Sequence, residues 1–546
     1  MISEKIRKLV AEALKKSGLK ADFIPIEKPG QREHGDFSTS IALKLGGNPR
    51  ELAAKIIKNL PQSDFIEKTE VAGPGFINFH LGKKALQEQI GKEFKHSDSL
   101  KGRKIMIEFA HPNTHKAFHI GHLRNISLGE SLVRILESQG AEIFRANYQG
   151  DIGLHVAKCL WGYMRSEEPA DLDTPRKKAE FLGKVYALGG TKFEEDEEAK
   201  KEIYAINKRI YAHDPSIMPL WEKTRKWSLE YFDYIYERLG ARFDRLFFES
   251  EVFDLGKKIV LEHLEKGVFE ESDGAIIFPG EKYGLHNRVF ITGEGNPTYE
   301  AKEMGLAKLE QEAFPFDRNI HIVANEQEDY LKVTFKAMDR IYPGLEAKQY
   351  HLSYGMVKLT TGKMSSRTGD VVTAEALIEE AKEALRKITK DEDVIEKVAI
   401  GAMKFTMLHA HAKNDIAFDL EKAVKLEGDS GPYLQYAYAR ISSVLDKVRG
   451  DGEADFEKFN DEDWDLSREL GDFEYSVARA AEELSPHYIA HYLIELASRF
   501  SKWYGKNNVK DAEPGLQVAR LELLKAVRRV LKEGLNLLGI EVMERM

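Results

Sequence analysis

Residues 104–140, KIMIEFAHPNTHKAFHIGHLRNISLGESLVRILESQG, leave this chain few folds to choose from. Ile105, Ile107 and Phe109 alternate with Met106, Glu108 and Ala110, the period of two that marks a strand. Leu128, Leu132, Ile135 and Leu136 then follow i, i+4, i+7, i+8 spacing, which predicts a helix that Gly140 stops. A second strand, roughly Glu142 to Asn147, comes at once, so the segment reads as a βαβ unit, the seed of a parallel sheet. Between first strand and helix lies His119-Ile120-Gly121-His122. Free N–H groups and the dipole at a helix N-terminus favour phosphate. The imidazoles add donors that can follow charge as it grows in a transition state, and the glycine lets the backbone approach a ligand. Taken alone, the four residues read equally well as two capping histidines around a turn glycine.

A second stretch shifts that balance. Gly362-Lys363-Met364-Ser365-Ser366-Arg367-Thr368-Gly369 is a basic, hydroxyl-rich loop after an apolar strand. The pair resembles the HIGH and KMSKS signatures of class I aminoacyl-tRNA synthetases. The first matches in all four positions and the second in its first three, with Ser366 where the second lysine belongs and Arg367 next to it.

A length of 546 residues predicts three or four domains. The net charge of −9 weighs slightly against a polyanionic partner, although only the contacting face needs to be positive. Cys159 is the sole cysteine, which excludes intramolecular disulfides and cysteine-rich zinc sites. The opening MISEKIRKLVAEALKKSG is amphipathic and charged and reads as neither a signal peptide nor a membrane span, so a soluble cytoplasmic protein is expected.

Residues 1–95 read as a small α+β module. Its first helix is stopped by Gly18, Asn48-Pro49-Arg50-Glu51 is a capping-box helix start, and Val71–Leu81 is a turn followed by a strand. Asn147 to Gly153 is a glycine-punctuated turn at a strand end. From about 155 to 290 the chain reads as a helical, tryptophan-bearing insertion, after which strands resume at Arg288, at Asn319–Asn325 and at His351–Val357. Beyond 390 the pattern is helical, with Asp429-Ser430-Gly431-Pro432 opening a tyrosine-rich helix. EHGDFSTSIA (33–42), NPRELA, VAGPGFINFHL (71–81), SGPYLQYAYARI (430–441) and the final LGIEVMERM resemble, in order, segments of arginyl-tRNA synthetases.

That resemblance implies an α/β fold: a Rossmann-type parallel sheet of the class I synthetases with an N-terminal α+β domain and a C-terminal all-α anticodon-binding bundle. It divides the chain into 1–95 (elbow-contacting), 96–385 (catalytic) and 386–546 (anticodon-binding). The implied reaction activates L-arginine with ATP, brought with Mg2+ and without zinc, and transfers arginine to tRNA(Arg). The implied catalytic residues are His119, His122, Lys116 and Lys363, with Lys116 standing in for the missing lysine of the second signature. Gly121, Met364, Ser365, Ser366 and Arg367 join them around ATP. Asn113 and His122, with His111 beside them, would hold the α-amino and carboxylate end of arginine, and Tyr299, Glu303 and Gln327 its side chain. The family usually has aspartate where Glu303 stands. Glu142 and Asn147 are further polar candidates. Tyr433, Gln435, Tyr436 and Arg440 would meet tRNA. The implied protein is a monomer with no membrane partner. A tRNA-binding paralogue without catalysis, or a synthetase for another amino acid, are the rival readings. The intact His119, His122 and Lys363 oppose the first, and the arginyl-type ends the second.

Overall fold

The computed structural model describes residues 1–94, 97–360 and 372–546, so the expected sites at Lys363, Met364, Ser365, Ser366 and Arg367 lie outside the described residues. Helix α1 (Ile2–Lys16) buries Ile2, Ile6, Val10, Ala13 and Leu14, and Gly18 follows it at φ +71°. Strand β1 (Phe37–Thr39), the short α2 (Ile41–Lys44) and α3 (Pro49–Lys58) come next. Asn48 caps α3 as expected, its Oδ1 accepting the Arg50 N–H at 3.2 Å. Glu51 does not close a capping box; it accepts the Asn48 side-chain amide instead. The reading of 71–81 is also corrected. Val71 and Ala72 end a strand, β2 (Ile66–Ala72), which pairs antiparallel with β3 (Phe76–Leu81), while β1 lies on the other side of β3. Charged residues at Glu67, Lys68 and Glu70 on this open edge hid β2 from the hydrophobic pattern. Helix α4 (Lys83–Gly91) closes the module.

The expected βαβ unit follows as β4 (Lys104–Glu108), α5 (Ile120–Ser138) and β5 (Glu142–Gln149). Helices α6 (Leu154–Tyr163), α7 (Pro175–Glu195), α8 (Glu197–Tyr211) and α9 (Met218–Arg238) bury Trp161, Trp221 and Trp227. The stretch 155–290 is not helical throughout. Strand β6 (Arg245–Phe248) returns to the central sheet beside β5, α10 (Glu249–Leu264) follows, and β7 (Glu270–Ser272), β8 (Ala275–Phe278) and β9 (Arg288–Ile291) form a small antiparallel sheet. Strands this short carry too few residues to show a period. Then come α11 (Tyr299–Ala313), β10 (Arg318–Ala324), α12 (Glu328–Ile341) and β11 (Gln349–Tyr354).

The central sheet is parallel in the order β11-β10-β4-β5-β6. From β4 the chain crosses to β5 on one side, and from β10 to β11 on the other. The crevice beyond the C-terminal ends of β4 and β10 is therefore the topological switch point, where such sheets bind ligands. The alternation in β4 sorts residues between two cores rather than between core and water. Ile105, Ile107 and Phe109 pack on the α5 side, and Met106 joins the cluster that includes α11 and α12.

The strand expected at 351–357 divides at Gly355-Met356. β11 ends at Tyr354, and β12 (Val357–Leu359) pairs instead with β13 (Ile416–Phe418). Helices α13 (Ala374–Leu385) and α14 (Glu392–Leu408) precede β13. The short α15 (Leu420–Ala423) follows, then α16 (Gly431–Lys447), α17 (Asp461–Leu470), α18 (Phe473–Glu482), α19 (His487–Lys506) and α20 (Pro514–Leu537). Ser430 caps α16, accepting the Tyr433 N–H at 3.1 Å. One hydrophobic core runs from α1 through α5 to α20, so α5 is shared by the sheet and the C-terminal bundle. Among the described residues no helix is long and apolar enough to cross a membrane.

Candidate active site

The loop leaving β4 is strained. Ala110, His111 and His115 have φ of +78°, +49° and +63°, three non-glycine residues in the left-handed region within six positions. Buried hydrogen bonds hold them there. Asn125 Oδ1 accepts the Ala110 N–H at 2.6 Å, Asn147 Oδ1 the His111 N–H at 3.2 Å, and Ser228 Oγ the His115 N–H at 2.9 Å. The buried His115 ring bridges Thr114 and Thr224. Asn147 is thus spent on the loop and on the Tyr236 hydroxyl, which corrects its placement at the substrate. Asn113 lies against Gly150, where a Cβ would collide with its Oδ1. Lys116 emerges exposed and makes no ion pair among the described residues. Partial desolvation, and then the charge of Lys158, hold its ammonium below the usual lysine range.

His119 and His122 cap α5, and in doing so they fix their own chemistry. His119 Nδ1 accepts the Gly121 N–H at 3.1 Å, and His122 Nδ1 accepts the His119 N–H at 3.1 Å. A neutral imidazole whose Nδ1 accepts must carry its proton on Nε2. Both rings are held neutral by burial, His119 also by Lys116 and His122 also by its partner ring, with which it stacks at 3.7 Å. The site therefore has two preset Nε2–H donors. Two expectations change here. The first amides of α5 are not free for phosphate, because Ile120 donates to Val372 O and His122 to His119 O. Gly121 makes room for a ring as well, since a Cβ there would sit 2.9 Å from His119 Cε1.

Beyond the C-terminal ends of β4 and β10 lies a buried acidic pocket. Glu108 is 4% exposed and faces His321, its register partner on β10, with Oε2 to Nδ1 at 3.4 Å. Burial alone would raise the Glu108 carboxyl. The His321 charge, hydrogen bonds from His321 and Glu310, and His111 outweigh it and hold the group at about 2. Glu303 on α11 is 9% exposed and is pushed up to about 8 by burial and then by the Glu108 charge. Tyr299, 62% exposed, begins the same helix one turn earlier, and Gln327 follows β10 at the mouth of the crevice. Lys302 and Glu249 form a buried pair at 2.8 Å beside it. Sequence reading missed Glu108, whose alternation marked it only as a strand residue. The structure also corrects the further polar candidate Glu142, which is exposed at the start of β5, next to Lys104, roughly 20 Å of strand from the crevice.

Family models match the whole length of this arrangement. Residues 4–81 match the arginyl tRNA synthetase N terminal domain, 85–420 the class I (R) tRNA synthetase catalytic domain, and 434–546 the DALR anticodon binding domain. The chain is 33% identical to the arginine–tRNA ligase of Treponema denticola, over 96% of this chain and 95% of that one. It is 31% identical to that of Borrelia duttonii, covering 100% and 99%. The Thermus thermophilus arginyl-tRNA synthetase structure superposes with a TM-score of 0.87 at 26% identity, covering both chains fully. The chain belongs to the arginyl-tRNA synthetase family. It is a class I ligase, and the family's reaction is the aminoacylation of tRNA(Arg).

In this member of the arginyl-tRNA synthetase family α5 is anchored from within to the chain just before β12 and β13. Arg124, 1% exposed, sends Nη1 to Gly355 O (2.6 Å) and Nη2 to Ala412 O and Asn414 O (both 2.7 Å). It thereby ties the start of β12 to the helix carrying the histidines. Just past the second signature, Thr373 bridges to His119. Arg124→Lys should leave at least one of those buried carbonyls unpaired, at roughly 1–3 kcal/mol each. Urea unfolding would register this as a lower midpoint.

In the anticodon-binding helices the tRNA candidates separate. Tyr436 is 37% exposed, and Arg440 is exposed and lies over the Tyr504 ring at 4.6 Å. Tyr433 is half-buried, its hydroxyl 3.2 Å from Ser501 Oγ. Gln435 is excluded as an RNA contact. It is 0% exposed and donates to Lys397 O and Glu541 O, locking the chain's end onto α14.

Proposed function

We propose that the crevice residues divide the work as follows. Asn113, His111 and His122 hold the α-amino and carboxylate end of arginine, and Glu108, Glu303, Tyr299 and Gln327 take its guanidinium. A guanidinium has five donors and no acceptor, so it calls for carboxylates, carbonyls and hydroxyls. The arginine carboxylate attacks the α-phosphate of ATP, forming the new C–O–P bond as pyrophosphate leaves. Nucleotidyl transfer of this kind needs positioning and charge compensation more than covalent help. The Nε2–H groups of His119 and His122 donate to the phosphate as negative charge builds there, and Lys116 supplies the full positive charge. Lys363 would meet the leaving pyrophosphate. The 3′-terminal adenosine of tRNA(Arg) then takes the arginyl group, and AMP departs.

The observation that carries this reading is the His119–His122 pair, which is locked by its caps as two neutral donors at the switch point. Arginine-dependent pyrophosphate exchange, run amino acid by amino acid with and without tRNA, tests it. Exchange with another amino acid, or with none, would overturn it. Among the described residues no three His, Cys, Asp or Glu side chains gather into a metal cage. Mg2+ would come and go with ATP. The divisions at about 95 and 385, elbow contact by the first module, a cytoplasmic site of action and a monomeric state complete the proposal. Arg440→Ala and Tyr436→Ala should raise the Michaelis constant for tRNA and leave that for arginine unchanged. Gln435→Ala should lower stability instead, and a thermal melt beside charging kinetics tells the two effects apart.

A further inference from the structure

The acidic pocket holds more carboxyl groups than cations to meet them. Glu310 lies two turns beyond Glu303 on α11 and is 1% exposed. Its Oε2 accepts from Asn319 Nδ2 at 3.0 Å, while Oε1 finds no donor of normal geometry. Glu108 Oε2 is in the same position. Two buried carboxylates short of donors and of cations cannot both stay ionised, so one of them takes up a proton. His321 settles which one is ionised. Its Nδ1 faces Glu108, and its Nε2 lies 2.6 Å from Gln349 Oε1, so both nitrogens meet acceptors and the ring is a cation paired to Glu108. Glu310 is then the neutral acid.

Among the described residues Glu303 is left without a counter-ion. The titratable groups facing it are Glu108 on β4, Tyr148 on β5, Glu249 on α10, Glu310 on its own helix, His321 on β10 and Tyr330 on α12. His321 is committed to Glu108, and Lys302 to Glu249. A buried carboxylate with no cation of its own takes up a proton.

We propose that arginine enters this pocket in exchange for a proton: Glu303 gives its proton to solvent as the guanidinium arrives, while Glu310 stays a neutral acid that positions Glu108. The exchange rests on the arginine pocket assigned above. It leaves the buried charge unchanged, one cation in and one proton out. The carboxyl of Glu303, held at about 8 in the free enzyme, agrees with this. The sign follows from linkage. Below that value binding releases a proton, so the affinity for arginine rises with pH, by up to about tenfold per unit, and levels off above it.

Isothermal titration of the full-length protein with L-arginine at pH 7, in phosphate and in Tris, tests the exchange. The binding enthalpy should differ between the buffers by close to the difference in their ionisation heats for one proton, and the dissociation constant should fall between pH 6 and 8. A buffer-independent enthalpy with a flat dissociation constant overturns the proton exchange. Glu303→Gln should bind arginine weakly and release nothing. If it binds as tightly as the wild type, the pocket itself is wrongly assigned, which is a different failure. Glu310→Gln keeps an N–H facing Glu108, so it should restore the affinity and proton release that Glu310→Ala loses. Equal loss in both variants would overturn the neutral-acid role of Glu310.

Discussion

Glu303→Gln should lose arginine activation by about 3–5 kcal/mol, the cost of leaving a buried charge without its partner. That is a few hundred- to a few thousand-fold in kcat/KM, read by arginine-dependent pyrophosphate exchange. The substitution keeps the shape, so what disappears is the negative charge that the guanidinium meets and one of the two acceptor oxygens. The nearby Glu108 cannot take over, because His321 already balances it. Tyr299→Phe should lose less, since one hydroxyl goes and no charge does. Folding stability should respond in the opposite sense. The Glu303 carboxyl is raised in the folded protein, so its contribution favours the fold below its unfolded value near 4 and erodes as pH rises toward about 8. Glu303→Gln removes that erosion, and the variant should melt no lower than the wild type at pH 8. If Glu303→Gln activates arginine normally, the pocket assignment fails, and Glu108 becomes the carboxylate to test.

Lys116→Ala should slow the activation step by about 2–4 kcal/mol, the scale for losing one preorganised electrostatic contact in the transition state. The Michaelis constant for arginine should barely move. Three features of the site focus this effect on Lys116. The helix amides that could have met the phosphate are bonded within the protein. The two histidines donate without carrying charge. The second lysine of the other signature is Ser366. Lys116 is left as an exposed ammonium that makes no ion pair among the described residues. Its proton is held less tightly than that of an ordinary lysine, through desolvation and Lys158, so charge is lost earlier as pH rises. Wild-type activation should consequently fall on an alkaline limb that Lys116→Arg moves to higher pH. An activation rate within threefold of wild type in Lys116→Ala would place the charge elsewhere, with Arg367 the next residue to test.

What could be read from sequence was local. The βαβ unit, the helix from the histidine pair to Gly140, and the caps at Asn48 and Ser430 rest on spacings of a few residues, and all are present in the fold. The histidine pair was legible for the same reason, since caps and helix residues three apart meet wherever the helix is placed. Even so, its two readings proved to be one: the capping bonds are what set the tautomers for donation.

The rest needed partners far apart in the chain. Glu108 meets His321 because parallel register sets them opposite each other across 213 positions, and no period in β4 distinguishes a buried carboxylate from an exposed one. Gln435 and Tyr436 are neighbours on one helix, yet one is locked to the chain's end and the other faces water, because α14 and the last residues cover only one side of α16. Glu142 and Asn147 share a strand, but strand polarity places only the far end at the crevice. Sequence alone determined the βαβ unit, the family and the paired donors, since those follow from short-range stereochemistry and motif. Only the tertiary structure decided which carboxyl groups face each other without water, and hence which of them carries a charge, because desolvation and pairing depend on everything packed around a group.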